Sequence, residues 1–133
     1  MPGPKPRVAV LEDHEDTREM LLLALDAEFS IRDFRDASEL LSAMEGENFS
    51  AIIADIMVPG LDGFAFVRTL REDPRFQDLC VIAVTALAME NDRQKGLAAG
   101  FTDYLVKPID PQEIAEVVWR CLRERAPRDT PAA

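Results

Sequence analysis

"AIIADIMVPGLDG", residues 51–63, places Asp55 directly behind a continuous apolar run, then turns the chain through Pro59, Gly60 and Asp62-Gly63. A run that is apolar at every position reads as a strand covered on both faces, as in a parallel sheet between helices. Asp55 cannot simply cap the next helix, because the helical stretch after it opens only at Gly63, eight residues on. A carboxylate at the end of a buried strand needs partners, and the rest of the chain supplies them.

Outward from this segment the chain alternates strand and helix. "RVAVL" (7–11), "IRDF" (31–34), "CVIAVTA" (80–86) and "TDYLV" (102–106) read as further strands, the second less hydrophobic and so nearer an edge. Helical composition fills 12–29, 36–46, 63–73, 89–100 and 110–125. Asp36 with Glu39, and Asp110 with Pro111 and Glu113, form helix-start boxes, while Gly46, Pro74 and Gly100 mark stops. The pattern predicts an α/β fold, a doubly wound five-stranded parallel sheet with five helices. One domain is expected over 7–124, between a tail at 1–6 and another at 125–133, both rich in proline or small residues. No internal repeat is visible.

Composition narrows the function. Hydrophobic residues are 47% and charged residues 30% of 133, enough to build a core. The net charge of −10 repels phosphate backbones, which argues against direct nucleic-acid binding. No apolar run nears the ~20 residues that span a bilayer, and "MPGPKPR" lacks the apolar core of a secretory signal. Cys80 and Cys121 lie far apart with no metal-ligand spacing, so they are read as reduced core residues of a cytoplasmic protein. His14, the single histidine, reads as a solvated or helix-start residue.

Sites in open parallel sheets form beyond the carboxyl ends of the strands. Strand 1 ends in Glu12-Asp13, strand 3 in Asp55, strand 4 in Thr85-Ala86 and strand 5 in Lys107-Pro108. Carboxylates about 5 Å apart repel by roughly 3 kcal/mol per pair at an effective dielectric near 20. Lys107 offsets part of that, and a hard divalent cation offsets the rest; all-oxygen ligands suit Mg²⁺ better than Zn²⁺. Singly, each residue has a plainer explanation: Asp13 or Asp16 as a helix cap, Thr85 as a strand residue, Lys107 as a solvated charge. Their coincidence on matched strand ends favours a site.

This set, with "DIMVPGLDG" and "DYLVKP", resembles the receiver domain of two-component response regulators. The resemblance runs from about Arg7 to Arg123 in the family's order and spacing, and "VTALAMENDRQKGLAAGFTDYLVKPI" is especially similar to receivers of hybrid kinases and phosphorelays. It implies the flavodoxin-like receiver fold and a domain that catalyses only its own aspartyl phosphorylation and dephosphorylation. Asp55 would be the phosphoacceptor, fed by a sensor histidine kinase or histidine phosphotransfer protein and read by a downstream protein target. Asp13 and Asp55 would bind Mg²⁺ (or Mn²⁺) directly, Glu12 through water, and Met57 through its backbone carbonyl. Thr85, the Ala86 amide and Lys107 would hold the phosphoryl oxygens. Thr85 and Tyr104 would form a switch, and Lys107-Pro108 a cis peptide.

Two departures from the family stand out. Glu12 replaces the commoner aspartate, and Val58 replaces the usual methionine before the proline. Rival readings fit less well. Aspartyl-phosphate phosphatases carry a second acid where this chain has Met57, and a nucleotide-binding flavodoxin relative needs a Gly/Ser/Thr-rich loop where it has "EDHED". The unbroken run Met20 to Leu23 exceeds one core-facing stripe, which leaves two readings: one member, with Leu22 the candidate, is exposed where a phosphodonor docks, or all four are buried. The readout face is expected around Ala88, Met89 and Leu105.

Overall fold

The computed structural model describes residues 4–57, 62–87 and 89–129, with side chains as far as Glu124. Strands β1 (Arg7–Leu11), β2 (Ser30–Phe34), β3 (Ala51–Ala54), β4 (Cys80–Thr85) and β5 (Asp103–Val106) form one parallel sheet in the order β2-β1-β3-β4-β5. Between and after them run helices α1 (Glu15–Leu25), α2 (Ala37–Ala43), α3 (Gly63–Glu72), α4 (Glu90–Ala99) and α5 (Pro111–Asp129). The weakly apolar β2 is indeed an edge strand. Pro74 does more than stop a helix, since it opens a 3₁₀ turn, Pro74–Phe76, capped by Asp73.

Side-chain alternation along the strands distributes the core. Val8, Val10, Ile53, Ile82 and Val84 face α1 and α5, where Leu21, Leu25, Ile114 and Val118 are buried. Ala9, Leu11, Ile52, Val81 and Ala83 face the other way, onto Leu40 of α2 and Phe66, Val67 and Leu70 of α3. With both sheet faces covered, the central strands have no wet side, which is why they are apolar throughout.

The phase of α1 is set by Arg18, Leu21 and Leu25, all buried. Leu22 is therefore only half-buried, and the surface leucine is Leu23, 82% exposed. The helix is capped by His14, whose Nδ1 accepts from the Thr17 amide. That leaves Asp13 and Asp16 free of the capping role the sequence allowed them.

The cysteines correct the expectation of free thiols. Cys80, first residue of β4, and Cys121 of α5 are joined by a disulfide with a Cα separation of 6.1 Å. Both are buried, as expected, but the sheet face they share brings residues 41 apart in sequence into bonding distance. A second tie lies at the same end of the strands. Arg71 of α3 donates through Nε to the Gly100 carbonyl, through Nη1 to Phe76 and Leu79 carbonyls, and through Nη2 to Thr102 Oγ1. Gly100 ends α4 at φ 128°, and a Cβ there would meet Arg71 Cγ at 2.7 Å.

Closing a loop of this length stabilises a domain by about 4 kcal/mol, mainly by restricting the unfolded chain. Reduction should then lower the thermal midpoint by roughly 14 °C. A Cys80→Ala/Cys121→Ala variant should melt at the lower temperature with or without reductant. Arg71→Lys should cost roughly 3 kcal/mol in urea unfolding, because one ammonium cannot span carbonyls that the planar fork reaches together.

Candidate functional site

Strand register assembles the site. Leu11 pairs with Ala54, so the next residues, Glu12 and Asp55, emerge side by side. The Asp55 amide donates to the Leu11 carbonyl at 2.9 Å and the Glu12 amide to the Phe34 carbonyl at 3.0 Å, extending the ladder by one residue. On the far side of β3, Thr85 pairs with Val106, and the Lys107 amide donates to the Thr85 carbonyl at 2.8 Å. The Lys107-Pro108 peptide is cis.

Glu12, Asp13 and Asp55 each offer a carboxylate oxygen, and these atoms lie within 4.8 Å of one another. Glu12 and Asp55 are buried, whereas Asp13 is exposed. Lys107 Nζ donates to Asp55 Oδ2 at 2.9 Å and sits 3.1 Å from Glu12 Oε1. The second Asp55 oxygen, Oδ1, accepts from the Met57 amide at 2.8 Å. Glu12 Oε2 accepts from the His14 amide at 3.1 Å, and Oε1 is held by its ion pair with Lys107.

Burial drives the Glu12 carboxyl above the usual carboxylate range, and the Asp55 charge adds to it; Lys107 and the His14 amide pull it down and do not win. Burial pulls the Lys107 ammonium down, but its contacts with Asp55 and Glu12 prevail, and its pKa is raised. Two buried carboxylates about 5 Å apart still repel by roughly 3 kcal/mol at an effective dielectric near 20, and one ammonium cannot neutralise three acids. Three carboxylates converging with a single ammonium between two of them fit a hard divalent cation with oxygen ligands. Mg²⁺ is matched by this donor set.

The remaining sequence-selected residues lie around the same edge. Thr85 is fully buried and its Oγ1 accepts from the Leu87 amide at 3.2 Å, so its own hydroxyl proton is left to donate elsewhere. Ala86 is exposed beside it. Met57 is 54% exposed and engages Asp55 through its amide. Tyr104 is 1% exposed and its hydroxyl donates to the Leu87 carbonyl at 3.0 Å. Its ring packs on α4 at Gly96, where a Cβ would come within 2.8 Å of Cδ2. Met89 is exposed and Leu105 partly buried; Val58 and Ala88 lie outside the described residues.

Sequence reasoning missed two contributors. Leu87 connects Thr85 to Tyr104 through its own amide and carbonyl, a backbone role that no side-chain pattern announces. Arg18 is 5% exposed and donates weakly to the Glu12 carbonyl, at 3.5 Å. Its spacing from Leu21 and Leu25, on the buried stripe of α1, is the signal that could have found it.

The family model for the response regulator receiver domain matches residues 8–119. An uncharacterised 14.6 kDa protein of Leptolyngbya boryana is 40% identical over 112 residues, covering 84% of this chain and 86% of that one. Response regulator Rre1 of Synechocystis is 34% identical over 123 residues, 90% of this chain but only 53% of its own length. Among solved structures, the receiver domain of sensor histidine kinase PA1611 from Pseudomonas aeruginosa superposes with a TM-score of 0.80 at 26% identity, over 90% of this chain and 98% of that one. That crystal structure has a magnesium ion coordinated in the active-site cleft. A strand-end acid cluster bridged by a lysine, on a sheet of this order and with this match along the chain, makes the protein a member of the response regulator receiver domain family.

Proposed function

We propose that Asp55 takes a phosphoryl group from a phosphohistidine of a sensor histidine kinase or phosphotransfer protein, and that the modified domain is then bound by a protein target. The observation that carries this reading is the 2.9 Å contact of Lys107 with Asp55, at the centre of the three-carboxylate cluster. In the transfer an Asp55 oxygen attacks phosphorus in line, the phosphorus–nitrogen bond breaks, and the leaving imidazole takes a proton from water. Asp13 and Asp55 would hold Mg²⁺, with Glu12 contributing through water and Met57 through its carbonyl; the cation supplies charge neutralisation at the phosphoryl oxygens. Lys107 neutralises a further oxygen, and Thr85 and the Ala86 amide donate to the others.

The readout runs from Thr85 to Tyr104. A Thr85 hydroxyl drawn toward the phosphoryl group pulls on the Leu87 amide, and the Leu87 carbonyl holds the Tyr104 hydroxyl. Arg93 of α4 donates to the Tyr104 carbonyl at 2.9 Å, which passes the movement to the α4–β5 surface near Met89 and Leu105. Such a switch needs two states only a few kcal/mol apart. For the phosphodonor, the exposed Leu23 with Met20 and Ala24 of α1 and Pro111 of α5 gives an apolar surface edged by Asp16 and Glu19.

No helix among the described residues is long and apolar enough to cross a membrane. We place the chain in the cytoplasm, with its phosphohistidine donors. Thiols there are held reduced, and near-complete burial of Cys80 and Cys121 is what shields their bond from reductant.

Incubated with a small-molecule phosphodonor and Mg²⁺, the wild type should gain one phosphoryl group by intact mass. Asp55→Asn should gain none, and Asp13→Ala should be slowed at least about 100-fold. Labelling that persists in Asp55→Asn overturns the assignment. Thr85→Ala should still be labelled, but its amide chemical shifts over residues 87 and 89–106 should no longer respond to phosphorylation. Equal responses in wild type and variant would rule out the Thr85–Leu87–Tyr104 linkage as the readout.

A further inference from the structure

Arg18 is a buried arginine that no step of the proposed phosphoryl transfer uses. Long charged side chains on a helix normally reach water, and burying one is costly unless it is well partnered. Arg18 is 5% exposed, with Nε 3.2 Å from Asp33 Oδ2 on β2 and Nη1 3.5 Å from the Glu12 carbonyl. Asp33 precedes Phe34, whose carbonyl takes the Glu12 amide at 3.0 Å. The guanidinium therefore closes a small ring: β2 holds the amide side of Glu12, and Arg18, anchored on β2 through Asp33, holds its carbonyl side.

That carbonyl belongs to the peptide joining Glu12 to Asp13. Its orientation fixes where both carboxylates point. The Glu12 side chain is held by burial, the His14 amide and Lys107, whereas Asp13 is exposed, so the placement of its carboxylate depends most on the backbone of that peptide. We propose that Arg18 is a positioning residue for the metal-binding loop, holding the Glu12–Asp13 peptide so that the two carboxylates converge with Asp55 on a divalent cation. This rests on the reading of the acid cluster given above. The plainer role, a staple between α1 and β2, accounts for the ion pair but not for the arm that reaches the Glu12 carbonyl.

Charge and position predict opposite outcomes, which makes the idea testable. A nearby positive charge opposes cation binding, so removing Arg18 alone would favour Mg²⁺ electrostatically. Two charge-conserving changes isolate position: Arg18→Lys, and the double variant Arg18→Met/Asp33→Asn, which removes one positive and one negative group together. Groups that orient metal ligands typically contribute 10- to 100-fold to affinity, so both variants should bind Mg²⁺ at least about tenfold more weakly than wild type by calorimetric titration with MgCl₂. Circular dichroism and thermal melting on the same samples report the staple. A Kd within about threefold of wild type, with the melting temperature lowered, overturns the proposal and leaves Arg18 a structural residue. Should the double variant fail to fold, Arg18→Lys decides by the same criterion. If the wild type itself binds no Mg²⁺, the reading of the acid cluster fails instead, and the two failures are separable.

Discussion

Burying two carboxylates beside each other at the edge of a sheet is unfavourable, and the ammonium of Lys107 makes it tolerable here. Its position follows from strand pairing, because the Lys107 amide continues the ladder from Thr85 and thereby fixes how far its side chain must reach. The compensation is deliberately incomplete. Three acids lie together, Lys107 contacts only two of them, and the Glu12 carboxyl stays shifted upward by its burial. An apolar core that stopped one residue later on β1 and β3 would have no site, and a fully neutralised edge would have no need of a metal.

The neighbouring groups extend this arrangement outward along the backbone. His14 supplies an amide to Glu12 while capping α1, and Met57 supplies one to Asp55 as the chain leaves β3. Leu87 serves Thr85 and Tyr104 at once. In each case a main-chain group makes the contact with the site, although the His14 side chain has its own task as the cap of α1.

This explains what was legible in the sequence. Strand ends, the alternation of elements and the residues Glu12, Asp13, Asp55, Thr85 and Lys107 could be read because apolar runs stop abruptly and polar residues follow them. The two helix-start aspartates, Asp36 and Asp110, could be read because capping is local in sequence. What escaped depended on three-dimensional register. Cys80 and Cys121 meet only when β4 and α5 share a sheet face, and nothing in a separation of 41 residues announces it. Leu23 rather than Leu22 is exposed because Arg18 joins Leu21 and Leu25 on the buried side, contrary to the expectation that an arginine faces water. Tyr104 could be singled out, but its depth follows from Gly96, across the groove on another element.

The disulfide and the Arg71 carbonyl ties both lie where strands begin, while the acid cluster lies where they end. Strands β4 and β5 thus resemble rods clamped at their feet, in a sheet whose working groups sit at the opposite edge. Substitutions at the foot change how firmly the domain holds together, and those at the tip change what it recognises. Natural selection can therefore adjust durability and signalling as separate traits, and a lineage can exchange one kind of clamp for another, a covalent bond for a tighter apolar seam, without rewriting the chemistry it carries.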